Sequence, residues 1–445
     1  MTRNTIVIAA LAATAVFSAT ATAQAPQRLT MAQAVAVASG KSPGVTLARM
    51  RTDEAGAKTR QSLAAFLPSI AGEASMTRRT FNLYTLGIAL PSIPGMPPYA
   101  ELQGPVYDSE ARIKFTQALF DWSSVQKLRS SRLAELGARA DLGVSSESAA
   151  LSAANAYLRA TRAEAVVQAR ERDLGLAQEL QTLAEAQLSA GTSPSIDVTR
   201  ARTQVATSRG SLLIARNQRD RARIDLARAL GVDPSTPLEP ADTLAADLGG
   251  SSAPLEQPAA VAFALERRDE VRGEEARLAR AHADHRATAG ERIPRVDVVG
   301  DWGLSGEHYG DGINTYTAVL EVTVPILDGF RREGKIQEQG ALVRESEVRA
   351  HDLKDQVAAE VSAALLDLSN GQEQQSVAAE RLKLAEQEVA EATERFTSGV
   401  AGNIEVIDAQ SSLVRARDAD IDARFAVASA RIALARAAGV ARDIH

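Results

Sequence analysis

Apolar residues recur at spacings of three, four and seven along two long proline-free stretches of the chain. From Val125 to about Ala190 the series runs Leu128, Leu136, Ala140, Val144, Leu151 and Leu158, then Leu176, Leu180 and Leu183. From Arg331 to Ser398, Ile336, Val343, Ala350, Val357 and Ala364 keep a strict seven-residue step. This periodicity predicts helices packed in coiled-coil fashion, each about 100 Å long at about 1.5 Å per residue. Shorter helical stretches flank them at about 43–66 and 196–230, and again at about 269–291 and 403–438. Laid end to end, each short pair spans about 90 Å, so two short helices in series are expected to run antiparallel beside one long helix.

Between the first short helix and the long one, proline breaks the helical pattern in both halves and alternation takes over. The alternating segments are about 69–78 and 111–119 after Pro68, then about 296–304 and 316–325 after Pro294. In the last, Tyr316, Ala318, Leu320, Val322 and Val324 share one face, while Thr317, Glu321 and Thr323 share the other. Period two predicts strands with one apolar and one polar face. Segments of about ten residues with that pattern suit a transmembrane barrel wall, although half-buried strands of a soluble sheet show it too. A long loop rich in Pro, Gly and Tyr, about Phe81 to Asp108, joins the first strand pair, and a shorter one, about Ser305 to Thr315, joins the second.

The two halves are copies of one another. Ala190-Gly191-Thr192-Ser193-Pro194-Ser195-Ile196-Asp197-Val198 is echoed 208 residues later by Ser398-Gly399-Val400-Ala401-Gly402-Asn403-Ile404-Glu405-Val406. At the same offset, Ala227–Val232 is echoed by Ala435–Val440. So long a period is a duplicated structural unit rather than a solenoid repeat. The expected organisation is a leader over 1–23, a first repeat over 24–231 with its helix hairpin at 124–230, and a linker over 232–257. A second repeat over 258–445 follows, with its hairpin at 329–438. The Pro, Gly, Ser and acidic content of 232–257 reads as a surface linker.

Composition narrows the function. Arg3, the apolar run Ile6–Phe17 and Ala21-Thr22-Ala23 have the charge, core and A-x-A order of a secretory signal. The absence of cysteine excludes disulfides and thiolate metal sites. A net charge of −6, with both signs interspersed, argues against a nucleic-acid partner. Aromatics at 4% leave thin helix seams, so stability is expected from long helices and assembly. His282 and His285, near Asp284 and Glu275, have a spacing that could bind a metal, but no motif fixes a third ligand and a solvated helix face is the expected reading. No nucleophile elbow, phosphate loop or HExxH motif is present.

Four strands cannot close a barrel, and lipid does not tolerate an open sheet edge. Two copies would give eight strands with a filled interior, whereas three would give twelve and a pore. The order helix, proline, two strands, long helix, glycine turn, helix, then the same again, resembles the TolC-type outer-membrane factors of Gram-negative export systems. It covers about Leu29 to Val440. The turns at Gly191 and Gly399 and the junctions Phe120-Asp121-Trp122 and Leu327-Asp328-Gly329-Phe330 carry the likeness. The resemblance implies a mainly α fold with a transmembrane β-barrel contribution: duplicated long antiparallel helical hairpins plus four strands per chain. Assembled, it implies a homotrimer with a twelve-stranded barrel in outer-membrane lipid and an α-helical tunnel in the periplasm. It further implies a periplasmic adaptor (membrane fusion) protein, an inner-membrane pump of RND or ABC type, no cofactor, no metal and no enzymatic activity. The other reading left open is a soluble periplasmic coiled-coil scaffold or tether.

The resemblance puts the turns at the periplasmic tip. Glycine suits the left-handed residue just past a helix, and Ser195 or Asn403 is placed to cap the next one; Gly191, Ser195, Gly399 and Asn403 are also the expected adaptor-docking turns. Glu405 and Asp408 fall where the family places entrance aspartates, and their spacing of three puts both on one helix face. Two acids interacting with a helix dipole would give the same pattern. Asp197 matches a polar link residue of the family, but the tyrosine and arginine it would bind are Phe396 and Ala401 here. Trp302 and Tyr316 suit an interfacial aromatic girdle, and Trp122 a packing anchor where strand meets helix.

Overall fold

The computed structural model describes residues 27–445 apart from 83–84, 86, 88–93 and 96–101. The expected leader and most of the Pro91–Tyr99 segment lie outside the described residues. In chain order the elements are β1 (Gln27–Leu29), α1 (Met31–Lys41), α2 (Pro43–Ala64), β2 (Ser69–Asn82), β3 (Leu102–Phe120), α3 (Trp122–Ser189) and α4 (Ser195–Leu230). They continue with β4 (Leu238–Pro240), α5 (Gln257–Arg267), α6 (Asp269–Gly290), β5 (Arg295–Gly306), β6 (Ile313–Thr323), α7 (Arg331–Thr397) and α8 (Asn403–Ala437).

The helices are staves. The 22-residue α2 and 36-residue α4 lie in series along the 68-residue α3, as α6 and α8 do along the 67-residue α7. Because α3 also packs on α6 and α8, the order across the wall is α2/α4, α3, α6/α8, α7. The seven-residue series in α7 extends further than its bulky members show. Val343, Ala350, Val357, Ala364, Gly371, Ala378, Ala385 and Ala392 are all buried. Small side chains at this repeating seam allow close backbone approach with little hydrophobic bulk. Among the described residues, no helix is long and apolar enough to cross a membrane.

The thickest core lies mid-tube, where α1, the middle of α3, the end of α4 and the end of α8 meet. Tyr157 is fully buried there. Its hydroxyl lies 2.8 Å from Asp242 Oδ2 and 2.9 Å from the Leu29 carbonyl. The stretch 232–257 is not a surface linker. β4 pairs in parallel with β1, and Leu238, Leu244 and Leu248 are buried in this core. Widely spaced leucines set in a turn-rich composition anchor a strap that composition alone reads as loop. Helix α1 announces itself by a capping box: Gln33 N donates to Thr30 Oγ1 at 3.3 Å, and Thr30 N donates to Gln33 Oε1 at 3.1 Å.

The four long strands form one antiparallel sheet in the order β2-β3-β5-β6. β2 and β3 run 14 and 19 residues, longer than their alternating cores suggest, because they keep pairing through Asn82↔Leu102 into the segment expected to be loop. The register sorts residues cleanly. Gly72, Ile113, Trp302 and Tyr316 lie in one row across the sheet, and Glu73, Arg112 and Gly303 in the row beside it on the opposite face.

Candidate pore wall and periplasmic entrance

Alternation gives the sheet one face of bare hydrocarbon. Ile70, Met76, Ile113, Trp302, Tyr316, Leu320 and Val322 are all at least half exposed. The opposite face carries ion pairs both across and along its strands. Arg112 Nη1 donates to Asp301 Oδ1 at 2.5 Å and Nη2 to Glu110 Oε1 at 3.3 Å, Lys114 pairs with Glu73, and Arg295 Nε donates to Asp297 Oδ2 at 2.5 Å. A sheet greasy on one side and ion-paired on the other fits a boundary between lipid and a watery lumen. Trp302 and Tyr316 stand directly opposite each other on the apolar face.

Below the sheet, Trp122 packs over Gly290; a Cβ there would lie 2.7 Å from Trp122 Cδ1. Buried Arg332 braces the matching junction of the second repeat, donating to Asp328 Oδ2 at 3.0 Å and to the Pro325 and Glu291 carbonyls. These junctions set the direction in which the staves leave the strands.

At the far end both hairpins turn alike. Gly191 and Gly399 each have φ +72°. Thr192 N donates to the Gln187 carbonyl and Gly191 N to that of Leu188; Val400 N and Gly399 N repeat this with Arg395 and Phe396. This is the Schellman arrangement, in which glycine accepts the left-handed position at least cost. The expected caps are corrected. Pro194 and Gly402 hold the N-cap positions, no side chain caps either helix, and Ser195 and Asn403 are the first helical residues.

Asn403 instead turns inward, 1% exposed, and its Nδ2 donates to the Asp197 carbonyl at 3.0 Å. Gln187 Nε2 donates to the Phe396 carbonyl at 3.1 Å, a second strap between the repeats. The Phe396 ring lies in a core with Leu180, Val389, Val406 and Leu413. Buried Asp197 accepts from Ser193 Oγ at 2.9 Å, with Arg200 Nη1 3.5 Å away. Thus amides bridge the two turns where a tyrosine and an arginine are missing. Glu405 and Asp408 are both exposed, and Glu405 Oε2 accepts from Arg395 Nε at 3.2 Å. Among the described residues, no group of three or more His, Cys, Asp and Glu could hold a metal, so His282 and His285 gain no third ligand there. The amide straps escaped sequence reasoning because an Asn at a helix start reads as a cap. The lumen pairs escaped it because alternation gives the face but not the partner.

Residues 34–232 and 261–440 match the sequence profile of the family described as outer membrane efflux protein. The chain belongs to that family. CyaE of Bordetella pertussis is 26% identical over 288 residues, 64% of this chain and 60% of CyaE, so the match spans less than two thirds of that relative. OpmQ of Pseudomonas putida, a pyoverdine export outer membrane protein, is 22% identical over 343 residues, 74% of this chain and 70% of OpmQ. The crystal structure of the outer membrane protein VceC of Vibrio cholerae superposes with a TM-score of 0.75 at 19% identity, covering 92% of this chain and 96% of VceC. As an outer membrane efflux protein, the chain lies with its strands in the outer membrane and its helices in the periplasm. The four-stranded sheet of one copy leaves its edges open at β2 and β6. The bare apolar face is then lipid-facing, and the soluble-scaffold reading loses its footing.

Proposed function

We propose that the trimer is the passive exit duct of an export machine, reached from the periplasm through a docked adaptor protein and driven by an inner-membrane pump of the RND or ABC type. The single observation that supports this most is the pair of matching glycine turns at the end of the helical staves. Repeated in three copies, they offer six alike backbone surfaces around Gly191, Ser195, Gly399 and Asn403, which suits docking by a ring of adaptor hairpins. Glu405 and Asp408, on one exposed helix face, favour cations near the entrance, and Arg395 moderates the charge of Glu405. Asp197 contributes through its backbone carbonyl as the anchor of the entrance strap. Trp302 and Tyr316 serve as an aromatic girdle, and residues 1–23 as an export leader.

The test replaces both turn glycines, as Gly191→Val with Gly399→Val, where φ near +70° strains a β-branched residue. Trimers should still form in the outer membrane, while export and adaptor capture fall at least tenfold. Unchanged export with both turns altered would sink the docking role.

A further inference from the structure

The lipid-facing side of the sheet carries a single charge. Its strand positions are the alternate residues from Ile70 to Arg78 on β2, Tyr107 to Gln117 on β3, Val296 to Gly306 on β5 and Asn314 to Val322 on β6. Of these only Arg78 is ionised. It stands directly opposite Tyr107, with its guanidinium carbon 5.4 Å from the ring centre. Both side chains are exposed, and Arg78 has no ion pair among the described residues.

The height of that charge gives it a partner. From Val296 to Gly306 the apolar band runs about 33 Å along β5 at about 3.3 Å per residue. Tilted by about 40°, it rises about 25 Å, the height of a barrel's lipid-facing band. The Val296 end adjoins the helices, so the Gly306 end is external. Met76, Ser109 and Gly306 form the last row of the band, and Arg78 with Tyr107 the row beyond it. An arginine one row outside the hydrocarbon lies at the depth of lipid headgroups.

Below Arg78 the same face is hollow. Gly72 and Ala74 of β2 and Ala111 of β3 floor a cavity of about 510 Å³, and Ile113, Trp302 and Leu304 rise around it. Three small side chains among bulky ones leave a trough open to lipid. Ala74 and Arg78 are four residues apart on one face, about 13 Å along the strand. A lipid whose chain lies in the trough thus brings its headgroup to Arg78.

We propose that the trough and Arg78 bind one molecule per copy of an anionic lipid of the external leaflet, a phosphorylated glycolipid. Its acyl chain lies along Gly72, Ala74 and Ala111, and its phosphate meets the guanidinium that Tyr107 steadies. Arginine suits this because its planar fork pairs two phosphate oxygens at once. A zwitterionic headgroup brings its own ammonium to its phosphate and gains less from a lone cation. The site is whole within one copy and is independent of what the duct exports.

Trp302 stands in the trough wall, and Trp122→Phe leaves it as the sole tryptophan, so its emission reports occupancy. Detergent-extracted protein in that background should bind diphosphorylated lipid A with a blue shift, at one molecule per chain by native mass. Arg78→Gln should weaken binding about tenfold, the loss of one charge-assisted contact. Ala74→Leu with Ala111→Leu, which fills the trough, should weaken it at least as much. Dephosphorylated lipid A should bind the unaltered site no better than the phosphorylated form binds Arg78→Gln. Equal affinity for the two glycolipids, or an affinity unmoved by Arg78→Gln, overturns the phosphate contact and with it the site. Binding that survives the filled trough overturns the acyl contact. Phosphatidylethanolamine bound as tightly as lipid A would make this a general lipid contact and overturn the assignment to an anionic glycolipid.

Discussion

Asn403 donates its side-chain amide to the backbone carbonyl of Asp197 at 3.0 Å, tying the start of α8 to the start of α4 across the duplicated halves. The amide is buried, and its Oδ1 has no hydrogen-bond partner among the described residues. Asn403→Ala leaves the Asp197 carbonyl buried without its donor, which should cost the tip about 1 kcal/mol and leave the rest of the tube unchanged. Single-channel recordings should show a larger or noisier periplasmic entrance than wild type, with unchanged trimer melting. Identical conductance would mean that Gln187 and the Phe396 core hold the turns without it.

The sequence makes much of this tip legible, but not its closure. Gly191 and Gly399 are readable because only a left-handed turn needs glycine there, and the long helices because Val343 to Ala364 keep a seven-residue step. The four strands show because lipid and lumen demand opposite chemistry at alternate positions. The packed strap at 232–257 does not show, since β4 is three residues long and its leucines sit among turn formers. Nor do the partners of Arg112 or Asn403, because pairing across strands and repeats is set by register and packing rather than by local spacing.

The two faces of β6 should respond in opposite ways to charge. Leu320→Lys puts an ammonium group on the lipid face and should cost up to about 2–4 kcal/mol, the figure for a basic residue at mid-membrane. Thr317→Glu, on the face shared with Asp301, should be tolerated. Outer-membrane fractionation and heat-modifiable trimer bands separate the two. Equal tolerance of both would contradict the assignment of faces.

Mid-tube, Arg268 is 3% exposed and donates to Glu360 Oε2 at 2.6 Å and Glu270 Oε2 at 3.4 Å, while Arg436 reaches Glu270 at 2.5 Å. Burial opposes ionisation of Glu270 and Glu360, yet the arginines outweigh it and hold both below the usual carboxylate range. Because the folded values are depressed, the stability these acids contribute is present above their unfolded value, near pH 4.3, and is lost as pH falls through the folded values. Melting temperature should drop below about pH 4.5, and Glu270→Gln with Glu360→Gln should flatten that drop. Arg268→Ala should destabilise at neutral pH by about 1 kcal/mol, since it takes the partner from Glu360, which water still reaches, while Arg436 continues to hold Glu270. A pH profile unaltered by the double glutamine variant would remove this network as the cause.

Gly290 and Trp122 form a junction in which one residue is small because the other is large. A methyl group on Gly290 would overlap the indole, with Cβ 2.7 Å from Trp122 Cδ1, so Gly290→Ala must push the ring aside or shift α6 against α3. Overpacking of this kind costs about 1–3 kcal/mol. In a Trp122→Phe background the ring is smaller and that cost should fall by about 1 kcal/mol, a coupling that a double-mutant cycle measures directly. The chain has two tryptophans, so Trp302→Phe leaves Trp122 as sole fluorescent reporter, and Gly290→Ala should shift its emission to the red as the indole gains water. Additive energies and an unmoved spectrum would mean that the indole can turn away freely, and that this contact does not aim the helical staves from the barrel.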